Sequence, residues 1–169
     1  DYGAFDPESR AVLVQLFAVG KDDAPSALRD RGASQYILQY FGGPAPAWIE
    51  TGLRWYASAT AEAGGKADKP ESFRTDAVRK ACAARSGGFD RWLDEKAEAP
   101  TTEDAGYEIY AWHVFFRHGP GKKYGKAYQA SIDAFRATGS RADARKAWEG
   151  SDFARMEQEF REWASKWGK

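Results

Sequence analysis

With 169 residues the chain is long enough for one domain of ordinary size and too short for two. Its 25 Lys+Arg balance 25 Asp+Glu, so the formal net charge is zero, which disfavours a dedicated nucleic-acid or anionic-membrane binder. Aromatic residues make up 15% of the chain, unlike a disordered composition, and no apolar stretch approaches the ~20 residues of a membrane-spanning helix.

Gly3-Ala4-Phe5 and the run from Ala11 to Phe17 flank Asp6-Pro7-Glu8-Ser9, a cluster of turn formers, and predict a short β-hairpin. The start at Asp1, without Met, is that expected of a processed or trimmed chain, so the lack of a signal-peptide pattern at its front says little. From Pro25 onward the pattern is helical. The first helix is expected over 25–41, with Pro in its opening turn and Gly42-Gly43 closing it. A second begins near Pro46 and carries Ile49, Gly52, Leu53, Tyr56 and Ala57 at helical spacing. After a loop over 64–70 come a third helix over 71–85 and a short fourth over 89–94. Thr101 with Asp104 resembles a capping box and opens a helix over 103–118. Tyr107, Tyr110, Ala111, Val114 and Phe115 line one face of it, and Ile109, Trp112 and Phe116 the other. A helix apolar on both sides is central and buried.

Gly119-Pro120-Gly121 stops that helix. The next holds Tyr124, Tyr128, Ile132 and Phe135, and a short one covers 141–148. The last starts at a Ser151 cap and carries Phe153, Met156, Phe160, Trp163 and Trp167, a one-sided stripe that should clamp onto the body, with Glu157, Glu159, Arg161 and Glu162 opposite. The expected fold class is mostly α, a single helical domain over 1–169 with a short N-terminal β-hairpin.

Chemistry-bearing residues are few. One cysteine, Cys82, excludes an internal disulfide and a cysteine metal cluster, and reads as a small buried hydrophobe. The two histidines, His113 and His118, are five apart and so lie on different helix faces, whereas a zinc pair wants i, i+4. His113 reads as a hydrogen-bonded core residue, His118 as a partner of the helix C-terminus. The carboxylate pairs Glu103/Asp104, Glu157/Glu159 and Asp94/Glu95 read as solvated surface rather than as a glycosidase pair. Ser34 and Ser58 have no histidine near them in sequence. The basic run from Gly119 to Lys126 lacks Walker spacing and reads as a solvated helix start.

The segment from Leu28 to Tyr56, LRDRGASQYILQYFGGPAPAWIETGLRWY, resembles the peptidase-MA-like zinc metallopeptidase domains of bacteria, a gluzincin family. That family has a helix with H-E-x-x-H-Q, a Gly-rich turn, and then P-x-W-[LI]-x-E-G-[LI]-A-x-[YF]. Gln35 matches the residue after the second zinc histidine, Phe41-Gly42-Gly43 the turn, and Pro46-Ala47-Trp48-Ile49 with Gly52-Leu53 and Tyr56 the second motif. Gly3 to Pro7 resembles the hairpin before the active helix; Tyr107 to Phe116 and the last helix resemble the C-terminal helices. The resemblance implies a gluzincin-like helical fold and a secreted or cell-envelope location.

The departures fall on the chemistry. Asp30 and Ser34 stand at the two histidine ligands, Arg31 at the general base, and Thr51 at the third ligand. Such a set neither holds zinc usefully nor supplies a base. Glu50 is one residue off, a turn of roughly 100° around a helix. The resemblance therefore implies a pseudoenzyme without metal or cofactor, acting as a binding or structural module. Gly32-Ala33-Ser34 is expected to pack closely on the second helix, despite the cost of about 1 kcal/mol for Gly in a helix. Trp48, Thr51 and Trp55, with Gln35, are expected at the old cleft, either filling it as core or walling a groove for peptide, protein or carbohydrate. Two other readings stand beside this one: a metal-independent hydrolase rebuilt around Asp30, Arg31 and Glu50, and a structural domain that oligomerises through its last helix. A monomer is expected.

Overall fold

The computed structural model describes residues 3–6, 11–14, 24–62, 73–84, 88–94, 96, 97 and 99–168, with side chains from residue 32 onward except 60–62. Short strands β1 (Gly3–Asp6) and β2 (Ala11–Val14) pair antiparallel, Gly3 opposite Val14. Residues 7–10, where the sequence places the turn of a hairpin, lie outside the described residues. The other described residues are helical or loop: α1 (Ala24–Phe41), α2 (Ala47–Glu62), α3 (Thr75–Ala84), a 3-10 turn (Phe89–Leu93), α4 (Glu103–Arg117), a second 3-10 turn (Pro120–Tyr124), α5 (Gly125–Thr138), α6 (Arg141–Lys146) and α7 (Phe153–Ala164).

Helix ends follow local chemistry. Gly42, at φ 70°, takes the left-handed conformation that closes α1, and Gly43 N–H returns to the Leu38 carbonyl at 3.1 Å. Pro46 opens α2, its carbonyl accepting from Ile49 and Glu50. Three expected boundaries need correction. Thr102, not Thr101, caps α4, its Oγ1 accepting from Ala105 N–H at 3.2 Å. Asp152, not Ser151, caps α7 in the same way, accepting from Arg155 N–H at 3.0 Å. α3 starts at Thr75 rather than Glu71 because Arg74, at φ 49°, cannot belong to a right-handed helix.

Helix α4 is the axis of the domain. Every residue from Gly106 to Phe116 is buried, and α2, α3, α5 and α7 all pack against it. Its aromatics join Phe89, Trp148 and Phe160 in one cluster; the Trp112 and Phe160 rings stack with centroids 3.7 Å apart. Within α7, Met156, Phe160 and Ala164 are buried, as is Trp167 just beyond it, while Phe153 and Trp163 are half-buried. The stripe is thus covered within the chain. Its supposed polar side is not wholly solvated: Glu159 is half-buried and accepts from Lys123, Tyr124 and Arg155, and Glu157 pairs with Arg161. Lys123, read as part of a solvated basic run, thereby ties the second 3-10 turn to α7.

Of the three small residues expected to pack closely, Gly32 makes no close approach to the described residues, while Ala33 and Ser34 are half-buried. Gly32 is exposed, with open space where a Cβ would stand, although α1 and α2 do pack on each other. Close approach is found instead between α2 and α4. A Cβ on Gly52 would lie 3.3 Å from His113 Nδ1, and one on Gly106 3.1 Å from Trp55 Nε1.

Candidate functional site

Of the residues carried over from the metallopeptidase pattern, those with described side chains lie on α1 and α2. The side chains of Asp30 and Arg31 lie outside the described residues. Ser34 and Gln35 are half-buried on α1, and so is Glu50 on α2. Thr51 is buried on the face of α2 turned to α4, its methyl near Gly106. Trp48 is core, 5.6 Å from Phe89 and 5.5 Å from Tyr128 between ring centroids. Trp55 packs on Phe73 and Tyr107. Among the described residues Trp48 is buried and Trp55 half-buried, both packed against the aromatic core. Among the described residues, no group of three or more His, Cys, Asp or Glu side chains could hold a metal ion.

An open groove lies beside these positions instead. Helix α1 lines it with Tyr36, Ile37, Tyr40 and Phe41, two adjacent positions repeated one turn later and so on one side of the helix. Leu53 of α2, Arg117 at the end of α4, and Gln129 with Ile132 of α5 complete it, enclosing about 210 Å³. Its floor is apolar: Ile37 and Ile132 are buried, and Phe41 packs on Phe135. Its rim is aromatic and cationic. Tyr36 and Tyr40 stack with centroids 5.9 Å apart, and Tyr36, 66% exposed, is the exposed large hydrophobic among the described residues. The Arg136 guanidinium lies 4.1 Å over the Tyr40 ring and donates to its hydroxyl at 3.0 Å. Arg117 sits 5.6 Å over Tyr56. Neither guanidinium pairs with a carboxylate among the described residues. Stacked arginines with free donor edges are pre-set for planar anions.

Behind Arg117 lies a buried polar centre. His113 is 1% exposed; its Nδ1 shares a hydrogen bond with the Tyr128 hydroxyl, and its Nε2 has no partner. The core reading of His113 therefore holds, but the ring is only half satisfied. Burial, followed by the charges of Arg117 and His118, holds it well below the ordinary imidazole value. Burial likewise pushes the Tyr128 phenol up, so both groups are neutral near pH 7. His118 is the C-cap residue of α4, as the helix-terminus reading implies, and its Nε2 hydrogen-bonds the Tyr56 hydroxyl at 2.8 Å.

A pH dependence follows from His113. Its folded value lies below its unfolded one of ~6.5, so the unfolded chain takes up the proton first and stability falls as pH drops through that range. Melting temperature is expected to fall more between about pH 7.5 and about pH 5 in the native protein than in His113→Asn. Parallel curves for the two proteins would show that His113 does not contribute this dependence.

Sequence reasoning passed over two features. The Tyr36/Tyr40 pair at i, i+4 was its available signal for the groove. Glu108, buried within α4, pairs with Arg91, while the Trp92 and Trp112 indoles donate to its Oε1 at 3.4 Å. No known protein family, curated protein or solved structure matches this chain.

Proposed function

We propose that the chain is a non-catalytic, metallopeptidase-like binding domain of bacterial secreted or envelope type. In this reading a gluzincin-like helical frame holds its ligand in the groove between α1, α2 and α5. The observation that carries it is the groove itself, an apolar floor under a rim of stacked tyrosines and of arginines without a carboxylate partner among the described residues. Few precisely placed polar groups around apolar walls is the usual make-up of a ligand site. The pseudoenzyme half rests on donor chemistry, because Ser34 and Thr51 are hydroxyls where zinc would need imidazole and carboxylate.

Two measurements test this. Purified protein is expected to carry no stoichiometric zinc, and a chelator to leave its melting temperature unchanged; one zinc per chain between α1 and α2 overturns the pseudoenzyme reading. Amide chemical-shift mapping with short peptides, amino-acid derivatives and oligosaccharides is expected to perturb residues 36–41, Leu53 and 117–132. If no member of that panel perturbs them, the groove is not a binding site.

A further inference from the structure

Resting on the groove as the binding site, we propose that it takes the C-terminal residue of a peptide chain, its free α-carboxylate on Arg117 and its bulky aliphatic side chain on the floor. Size is the first argument. At about 210 Å³ the groove is smaller than the ~300–1,000 Å³ of pockets for drug-sized ligands, which suits a single residue. Charge is the second. Arg117 is exposed and bears no carboxylate partner among the described residues, while Tyr56 beneath it orients the guanidinium. Arg136, held by the Tyr40 ring and hydroxyl, adds a second positive charge beside the groove-lining Tyr40. An ionised carboxylate on Arg117 gains charge-assisted hydrogen bonds that a neutral end group cannot make.

The third argument separates a peptide end from a simple fatty or aromatic acid. Gln129 lines the groove and donates its side-chain amide to Asp133 at 3.0 Å, which leaves the amide oxygen as the end able to accept. A peptide terminus presents one N–H beside its carboxylate and side chain, and that N–H is what Oε1 can accept. The Asp133 carboxylate stands outside the groove lining and is occupied by this contact. Tyr36, exposed at the rim, offers a flat apolar face to the residue before the last.

The test uses the whole protein and three probes in calorimetric titration: acetyl-Gly-Ser-Gly-Leu with a free carboxylate, the same peptide amidated, and 4-methylpentanoate. The free-acid peptide is expected to bind, with amidation, Arg117→Gln and Tyr36→Ala each weakening it, the first two by roughly tenfold or more. Gln129→Ala should weaken the peptide and leave 4-methylpentanoate unchanged. Equal binding of acid and amide, or of peptide and 4-methylpentanoate, overturns the proposal. If none of the three binds while other panel members still perturb the groove, this inference fails and the binding reading survives. If nothing perturbs the groove, both fall. Because amidation changes the probe and not the protein, the result does not hinge on a variant folding.

Discussion

Phe160→Ala is expected to cost about 3–5 kcal/mol of stability, close to the whole margin of many domains this size. The ring is fully buried, stacked on Trp112 at 3.7 Å and edge-on to Phe115 at 5.4 Å. Those neighbours are themselves wedged among Phe89, Phe116 and Trp163, so the walls of the cavity left behind cannot collapse inward. The large end of the range for such truncations belongs to sites of this kind. Phe153→Ala, on the same stripe but half-buried, should cost markedly less. Chain truncation after Gly150 removes α7 altogether, and exposing Trp112 and Phe115 together should give aggregation or failure to fold. Chemical denaturation of the two point variants measures the first effect. A soluble, cooperatively folding truncation would show that α7 is an accessory and not part of the core.

Arg91→Met should be the second large loss, below the ~3–5 kcal/mol of a fully buried pair because the Arg91 side chain is 34% exposed. Glu108 is 2% exposed at the centre of α4, and the Arg91 guanidinium is its ion-pair partner. Methionine keeps much of the apolar stem and contact with Trp92, over which the guanidinium now lies at 4.5 Å, but leaves the carboxylate without that charge. The two indole donors at 3.4 Å are too long to replace a charged pair. Pairing Arg91→Met with Glu108→Gln should recover a substantial part of the loss, because the buried charge is then gone as well. A double-mutant cycle reads that coupling directly. Additive losses would mean that Arg91 stabilises the 3-10 turn by packing alone.

Helices whose apolar residues recur at regular spacing were legible from the chain. The two-sided pattern of α4 marked it as central, and the Pro and Gly punctuation around α1 and α2 placed their ends. Caps were misjudged by one residue because Thr101 and Thr102, or Ser151 and Asp152, offer adjacent oxygens, and only the backbone dihedrals decide which one reaches the helix. The exposed Gly32 and the buried Gly52 look alike in sequence. What distinguishes them is the neighbour each helix face meets, here His113 for Gly52. The candidate site was least legible. Its parts come from four helices, and the cationic rim depends on Arg117 and Arg136 lying over tyrosines far away in sequence, Arg136 being 96 residues from Tyr40. No local pattern encodes that placement. Helical spacing brings Trp48 and Trp55 to one side of α2, and that side packs on the aromatic core.

The central position of α4 also governs when the protein can fold during its own synthesis. Helices α2 and α3 leave the ribosome first, yet the surface they settle on is made by residues 106–116. Until that stretch has emerged, the faces of α2 and α3 that pack on it stay exposed and sticky, the condition under which nascent chains engage chaperones. Once it has emerged, α5 and α7 must still arrive to cover its other side. The domain is therefore built from its middle outward while being delivered from one end, and its vulnerable interval is the time taken to translate the second half.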